Sequence, residues 1–137
     1  MNSLVDIVLF GVVGAVMLAA LLGLMLLTTG RSQGRGLRTV FGIASTVLLI
    51  AVPALAAAEA LGSGQGFAAA LATAFGVELI IFAANMALMP AVLRRAAAAQ
   101  GVTGPLPSPF SPIPLIGGLV SCVLLALVGT GIAALVS

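Results

Sequence analysis

The chain has 137 residues, 62% hydrophobic and only 6% charged, with a mean hydropathy of +1.36, whereas a water-soluble domain carries roughly a quarter charged residues. It has no His, Trp, Tyr or Lys, so haem ligation by His, Ser-His and Cys-His nucleophilic pairs, and zinc sites built from His and Cys all lack raw material. The net charge of +2 comes from five Arg against three carboxylates, with no basic stripe interleaved with aromatics, which argues against a nucleic-acid surface.

The composition therefore predicts an all-α polytopic membrane protein. In lipid each spanning segment must satisfy its own backbone polar groups, and apolar runs of this length do so as helices. We expect one transmembrane domain over residues 1–137, a bundle of four helices at about 4–28, 39–58, 67–93 and 115–136.

The first run, from about Leu4 to Thr28, lacks the positive flank of a cleaved signal peptide and is too long for its apolar core. It reads as a retained helix. Gly11, Ala15, Ala19 and Gly23 recur every four residues along it, a small-residue stripe that lets another helix approach closely. The segment Arg31–Arg38, RSQGRGLR, reads as a turn between antiparallel neighbours.

The second helix carries Ser45 and Thr46, and farther along Pro53, which removes a backbone donor and frees the carbonyl one turn earlier. Glu59 is expected at the membrane boundary, facing water. The loop Leu61–Gly66, LGSGQG, is rich in Gly but has no phosphate-loop Lys, so it is not read as nucleotide-binding.

The run Phe67–Leu93 is the longest, spanning roughly 40 Å as a helix, and it is expected to end near Pro90 with Arg94 and Arg95 at its mouth. The alanines at 96–99 are able to extend it by about a turn. Glu78 lies roughly 16 Å from the Phe67 end, close to the bilayer midplane. Asn85, seven residues on, returns to nearly the same angular position about 10 Å away, with Phe75, Phe82 and Met89 close to that face.

Residues 101–114, GVTGPLPSPFSPIP, hold five of the seven prolines. They read as a semi-rigid connector that lies along the membrane surface, touching it through Phe110 and Ile113. In the last helix Gly118, Cys122, Ala126, Thr130 and Ala134 form a second small-residue stripe. Cys122 is the only cysteine and is expected to be a small core residue, since it has no disulfide partner within the chain.

All five Arg fall in the first and third loops, and four helices place those loops on one face. The positive-inside tendency makes that face cytoplasmic, so an inner (plasma) membrane protein with both termini outside is expected.

An intramembrane carboxyl is costly without a partner or a proton. Glu78 has three candidate roles. It is a protonated structural group bonded to Ser45, Thr46, Asn85 or the carbonyl freed by Pro53; it pairs with a cation from another chain; or it binds and releases H⁺ or Na⁺. The first expectation is a non-catalytic structural or accessory subunit of a larger or homo-oligomeric membrane complex, in contact with the bilayer and with other membrane subunits or further copies of itself. The alternative is a small oligomeric channel or H⁺/Na⁺-coupled transporter using Glu78. No acid-base pair or activated nucleophile suggests an enzyme, and the residues assign no metal or cofactor.

Overall fold

A computed structural model describes residues 3–28, 35–105 and 111–136. These form four helices, α1 (Ser3–Thr28), α2 (Arg35–Gly62), α3 (Phe67–Ala99) and α4 (Pro112–Val136), and no strand is present among the described residues. Each helix is long and apolar enough to cross a membrane. The expected all-α, multi-pass bundle is what the chain forms.

The helices run farther than hydropathy alone predicts, because their ends are set by backbone chemistry. α2 begins at Arg35, four residues before Thr39, and continues to Gly62, so Glu59 sits exposed in its last turns rather than beyond it. It stops in a glycine cap: Gln65 N–H donates to Ala60 O (3.1 Å), Gly64 N–H donates to Leu61 O (3.0 Å), and Gly64 takes φ +81°. The same motif ends α3, with Val102 N–H on Ala97 O (3.0 Å), Gly101 N–H on Ala98 O (3.3 Å) and Gly101 at φ +67°.

α3 does not end near Pro90. It passes through that residue and reaches Ala99, 33 residues in all. One lost hydrogen bond inside a helix is cheaper in lipid than breaking the helix, and the strong helix formers Leu93 and Ala96–Ala99 carry it on. α4 starts at Pro112 rather than Leu115, because Pro112 and Pro114 occupy the first turn, where no backbone donor is needed. Of the expected arginine turn, residues 31–34 lie outside the described residues. So do residues 106–110 of the proline-rich connector, including Phe110.

α2 and α3 form a central antiparallel hairpin flanked by α1 on one side and α4 on the other; α1 and α4 do not touch each other. Gly11 packs against Ile80, and Gly76 against Ile7, so α1 and α3 run parallel and in register. Gly118 packs against Phe82 and Gly129 against the backbone of Pro53 and Ala54, which seats α4 on both central helices.

The result is two three-helix wedges sharing one hairpin. The α1–α2–α3 wedge is filled by Leu18, Val52, Ala56, Val77 and Ile81. In the α2–α3–α4 wedge the buried hydrophobic cluster is made of alanines: Ala57, Ala60, Ala70, Ala74, Ala126 and Ala133.

Burial is uneven along the bundle. In α1 the buried positions lie between Asp6 and Leu18, in α2 between Val52 and Ala60, in α3 between Ala70 and Ile81, and in α4 between Cys122 and Ala133. Apart from Leu18, which the α1–α3 register sets a turn beyond Ile81, these lie in the half that carries the Leu61–Gly66 loop, here called the loop end. Among the other described side chains none is buried in the opposite half, the arginine end.

The small-residue stripes are used only in part. A stripe at every fourth residue rotates about 40° per step against the 3.6-residue turn, so it leaves a fixed interface after two or three steps. In α1 the close contacts are made by Gly11 and by Gly14, which meets Ile81 and Val52, while Gly23 has nothing within 4 Å of the position of a Cβ. In α4 Gly118, Cys122 and Ala126 face inward as expected, but Ala134 is exposed and Ala133 takes the buried place.

Gly129→Val is expected to lower stability by about 1–3 kcal/mol, because a Cβ there would meet the Ala54 nitrogen at 3.0 Å, and backbone has little room to yield. Gly23→Ala is expected to be neutral or to stabilise by up to about 1 kcal/mol, since its Cβ position is open. Thermal unfolding of both variants in detergent checks the contrast.

Candidate functional site

Glu78 sits on α3 at the boundary between the packed half and the open half, one turn before Ile81, the last buried residue of that helix. It is 2% exposed, and its Oε1 has no hydrogen-bond partner. On α4 the Cys122 thiol donates to the backbone carbonyl of Glu78 across 3.8 Å, fixing the two helices at this level. Pro53 is buried on α2, where its backbone lies against Gly129 of α4.

The side chain thus points into its own bundle. Among the described Arg side chains, Arg94 and Arg95 are exposed well beyond the packed half.

The other polar residues expected near Glu78 are distributed differently. Thr46 is exposed and donates to Gly42 O of its own helix at 2.9 Å, so it is not brought to the carboxyl. Ser45 and Asn85 are half-buried in the arginine half. Asn85 stands about 10 Å from Glu78 along α3, on the same face.

That face grades from buried to open. Glu78 is buried, Phe82 and Asn85 are half-buried, and Met89 is exposed, with Arg94 and Arg95 exposed beyond it. Phe82, one turn from Glu78 toward the open half, packs its ring on Gly118.

A second carboxyl is buried as well, one that hydropathy alone does not flag. Asp6, in the first turn of α1, is 3% exposed, and its Oδ1 has no hydrogen-bond partner. The signal for it was its spacing: Asp6, Phe10 and Gly14 repeat every four residues, and Gly14 is packed against α2 and α3. Among the described residues, no three His, Cys, Asp or Glu side chains gather into a metal-binding group.

What it costs to enclose a carboxyl depends on its form. An ionised, unpaired carboxylate in such an interior costs several kcal/mol even after relaxation, while a helix N-terminus returns at most about 2 kcal/mol to Asp6 and nothing to Glu78 in mid-helix. A neutral acid with one unpartnered oxygen costs only about 1–3 kcal/mol.

Compared with models of protein families, with curated proteins and with solved structures, the chain matches none.

Glu78→Met keeps the side chain's length and removes its unpartnered oxygen. It is expected to raise stability by about 1–3 kcal/mol, measured as a higher unfolding temperature in detergent. A destabilised variant would mean that the carboxyl has a partner essential to the fold.

Proposed function

We propose that this chain is a small, non-catalytic membrane protein whose bundle binds and releases a proton, or a small cation such as Na⁺, at Glu78. It would act as the ion-coupled core of a channel or transporter. One observation carries the proposal: a buried carboxyl within an apolar helix of membrane-spanning length, with an unpartnered oxygen and, among the described residues, no cation beside it, on a face that opens stepwise toward one end. Intramembrane carboxyls placed inside a bundle are the groups that pumps and exchangers load and unload.

The accessory-subunit reading remains the second proposal, and it rests on different residues. Glu78 is enclosed, and the close-packing parts of both small-residue stripes are taken up within the chain. What remains for a partner is the apolar outer face of α1, including Val8, Val12 and Val16, and that of α4, including Val120 and Leu124. Lipid satisfies such faces equally well.

In proteoliposomes, an imposed pH or Na⁺ gradient is expected to drive ion flux through the wild-type protein. Glu78→Gln is expected to reduce that flux to the level of empty vesicles while the variant stays folded. Flux that is equal in both proteins, or absent from the wild type, would defeat the transport proposal. If large foreign subunits then co-purify under native mass spectrometry, the accessory reading takes its place.

We further propose that the arginine end is cytoplasmic and both termini lie outside, in an inner (plasma) membrane, following the clustering of Arg at and next to the helix ends on that side. In a Cys122→Ala background, a cysteine at exposed Ser63 is expected to react with an impermeant maleimide added to intact cells. One at exposed Gln100 is expected to react only after permeabilisation.

A further inference from the structure

We infer that the crevice between α1 and α3 at the arginine end seats one anionic phospholipid of the surrounding bilayer, with an acyl chain between the helices and its phosphate on Arg95. Neither the role proposed for Glu78 nor the side of the membrane on which this end lies enters into it.

The crevice begins where the packed half stops. The register that pairs Ile7 with Gly76 and Gly11 with Ile80 sets Ala19 beside Leu88 and Gly23 beside Val92. A Cβ at Gly23 would meet nothing within 4 Å. A cavity of about 180 Å³ remains between the helices, lined by Ala19 and Gly23 of α1 and by Leu88, Ala91, Val92 and Arg95 of α3. These α3 positions, three, four and seven residues on from the first, form one stripe of a helix. The stripe is apolar along its length and ends in a cation. At this volume the crevice takes part of a hydrocarbon chain but not a helix, whose diameter is about 10 Å.

The depth of that cation matches a headgroup. With the Leu61–Gly66 loop at the opposite surface, α3 rises roughly 42 Å from Phe67 to Arg95. That is past the roughly 30 Å of hydrocarbon and within the about 40–45 Å that includes the headgroups. Leu88 lies about 10 Å back along the axis, at the level of the acyl chains.

Charge selects the lipid. The five Arg lie at or next to the helix ends on this side, whereas the three acidic side chains are Asp6 in the first turn of α1, Glu59 in the last turns of α2 and Glu78 inside α3. None of the three is placed to receive the choline or ethanolamine cation of a zwitterionic lipid. A guanidinium holds a phosphate through two parallel N–H bonds, and a headgroup of net negative charge is drawn to an end that is basic throughout. Arg94 borders a different cavity, of about 420 Å³, formed with Val102, Thr103, Gly104 and Pro105. The two neighbouring arginines can therefore be told apart.

Native mass spectrometry of the delipidated protein in mild detergent, offered equal amounts of dioleoyl phosphatidylglycerol and dioleoyl phosphatidylcholine, tests the site. The wild type is expected to retain one phosphatidylglycerol in preference to phosphatidylcholine. Arg95→Gln is expected to lower that retention about tenfold, through loss of a charge-assisted bond. Arg94→Gln, on the neighbouring face, is expected to lower it no more than about threefold. Gly23→Leu places a side chain where the cavity is open and is expected to release the lipid. Soluble glycerol phosphate, which has the headgroup chemistry without the chain, is expected not to compete. No retained lipid, equal retention of the two lipids, equal losses in the two arginine variants, or competition by glycerol phosphate overturns the inference. So does a folded Gly23→Leu variant that retains the lipid; if that variant does not fold, the two arginine variants decide.

Discussion

How closely α3 approaches its neighbours governs the rest of this structure. In lipid no hydrophobic drive pushes helices together, so association relies on packing, and packing relies on surfaces that let backbones come near. Here the seam of α2, α3 and α4 consists of alanines, with Gly129 set against the backbone of Pro53 and Ala54. Larger residues at these points would hold the helices apart. The burial of Glu78 follows directly, because a carboxyl one turn from this seam has no route to water through it.

The same constraint accounts for the contrast between the two halves. Where Gly and Ala face each other the helices close. Toward the arginine end Gly23, Gly42 and Gly117 have nothing within 4 Å of their Cβ positions, so small residues there make no such contact. The polar residues follow this division. Asp6, Thr73, Glu78 and Thr130 are buried in the closed half, whereas Ser45 and Asn85 are half-buried in the open one. Thr73 and Thr130 satisfy their hydroxyls on carbonyls of their own helices, and the carboxyls, with no such local acceptor geometry, keep an unpartnered oxygen.

Much of this was legible in the residues. Runs of apolar side chains fix the number of helices, since lipid permits no other way to satisfy the backbone. Glu78 stands out because a lone acid in such a run needs an explanation. The helix ends were less legible, because Pro90 is a breaker in water but is tolerated in a membrane span, and because the glycine caps at Gly64 and Gly101 depend on backbone torsions rather than on hydropathy. Nor does a four-residue stripe reveal its own drift: Ala134 and Gly23 belong to the pattern but have turned off the interface, while Gly14, outside the pattern, makes a tight contact. The burial of Asp6 was hidden for another reason. An acid at a helix start ordinarily lies at the water boundary, and only the register of α1 against α3 shows that this one is covered.

A bundle fastened at one end is a lever. From Ile81, the last buried residue of α3, to Ala99 the helix extends roughly 27 Å, held by no buried side chain among those described. A tilt of only about 5° about the alanine seam moves the far tip by roughly 2 Å while leaving the seam almost undisturbed. Phe82 lies next to the fulcrum and Arg94 and Arg95 near the tip. A displacement applied at the arginine end is therefore taken up by the arm rather than by the core.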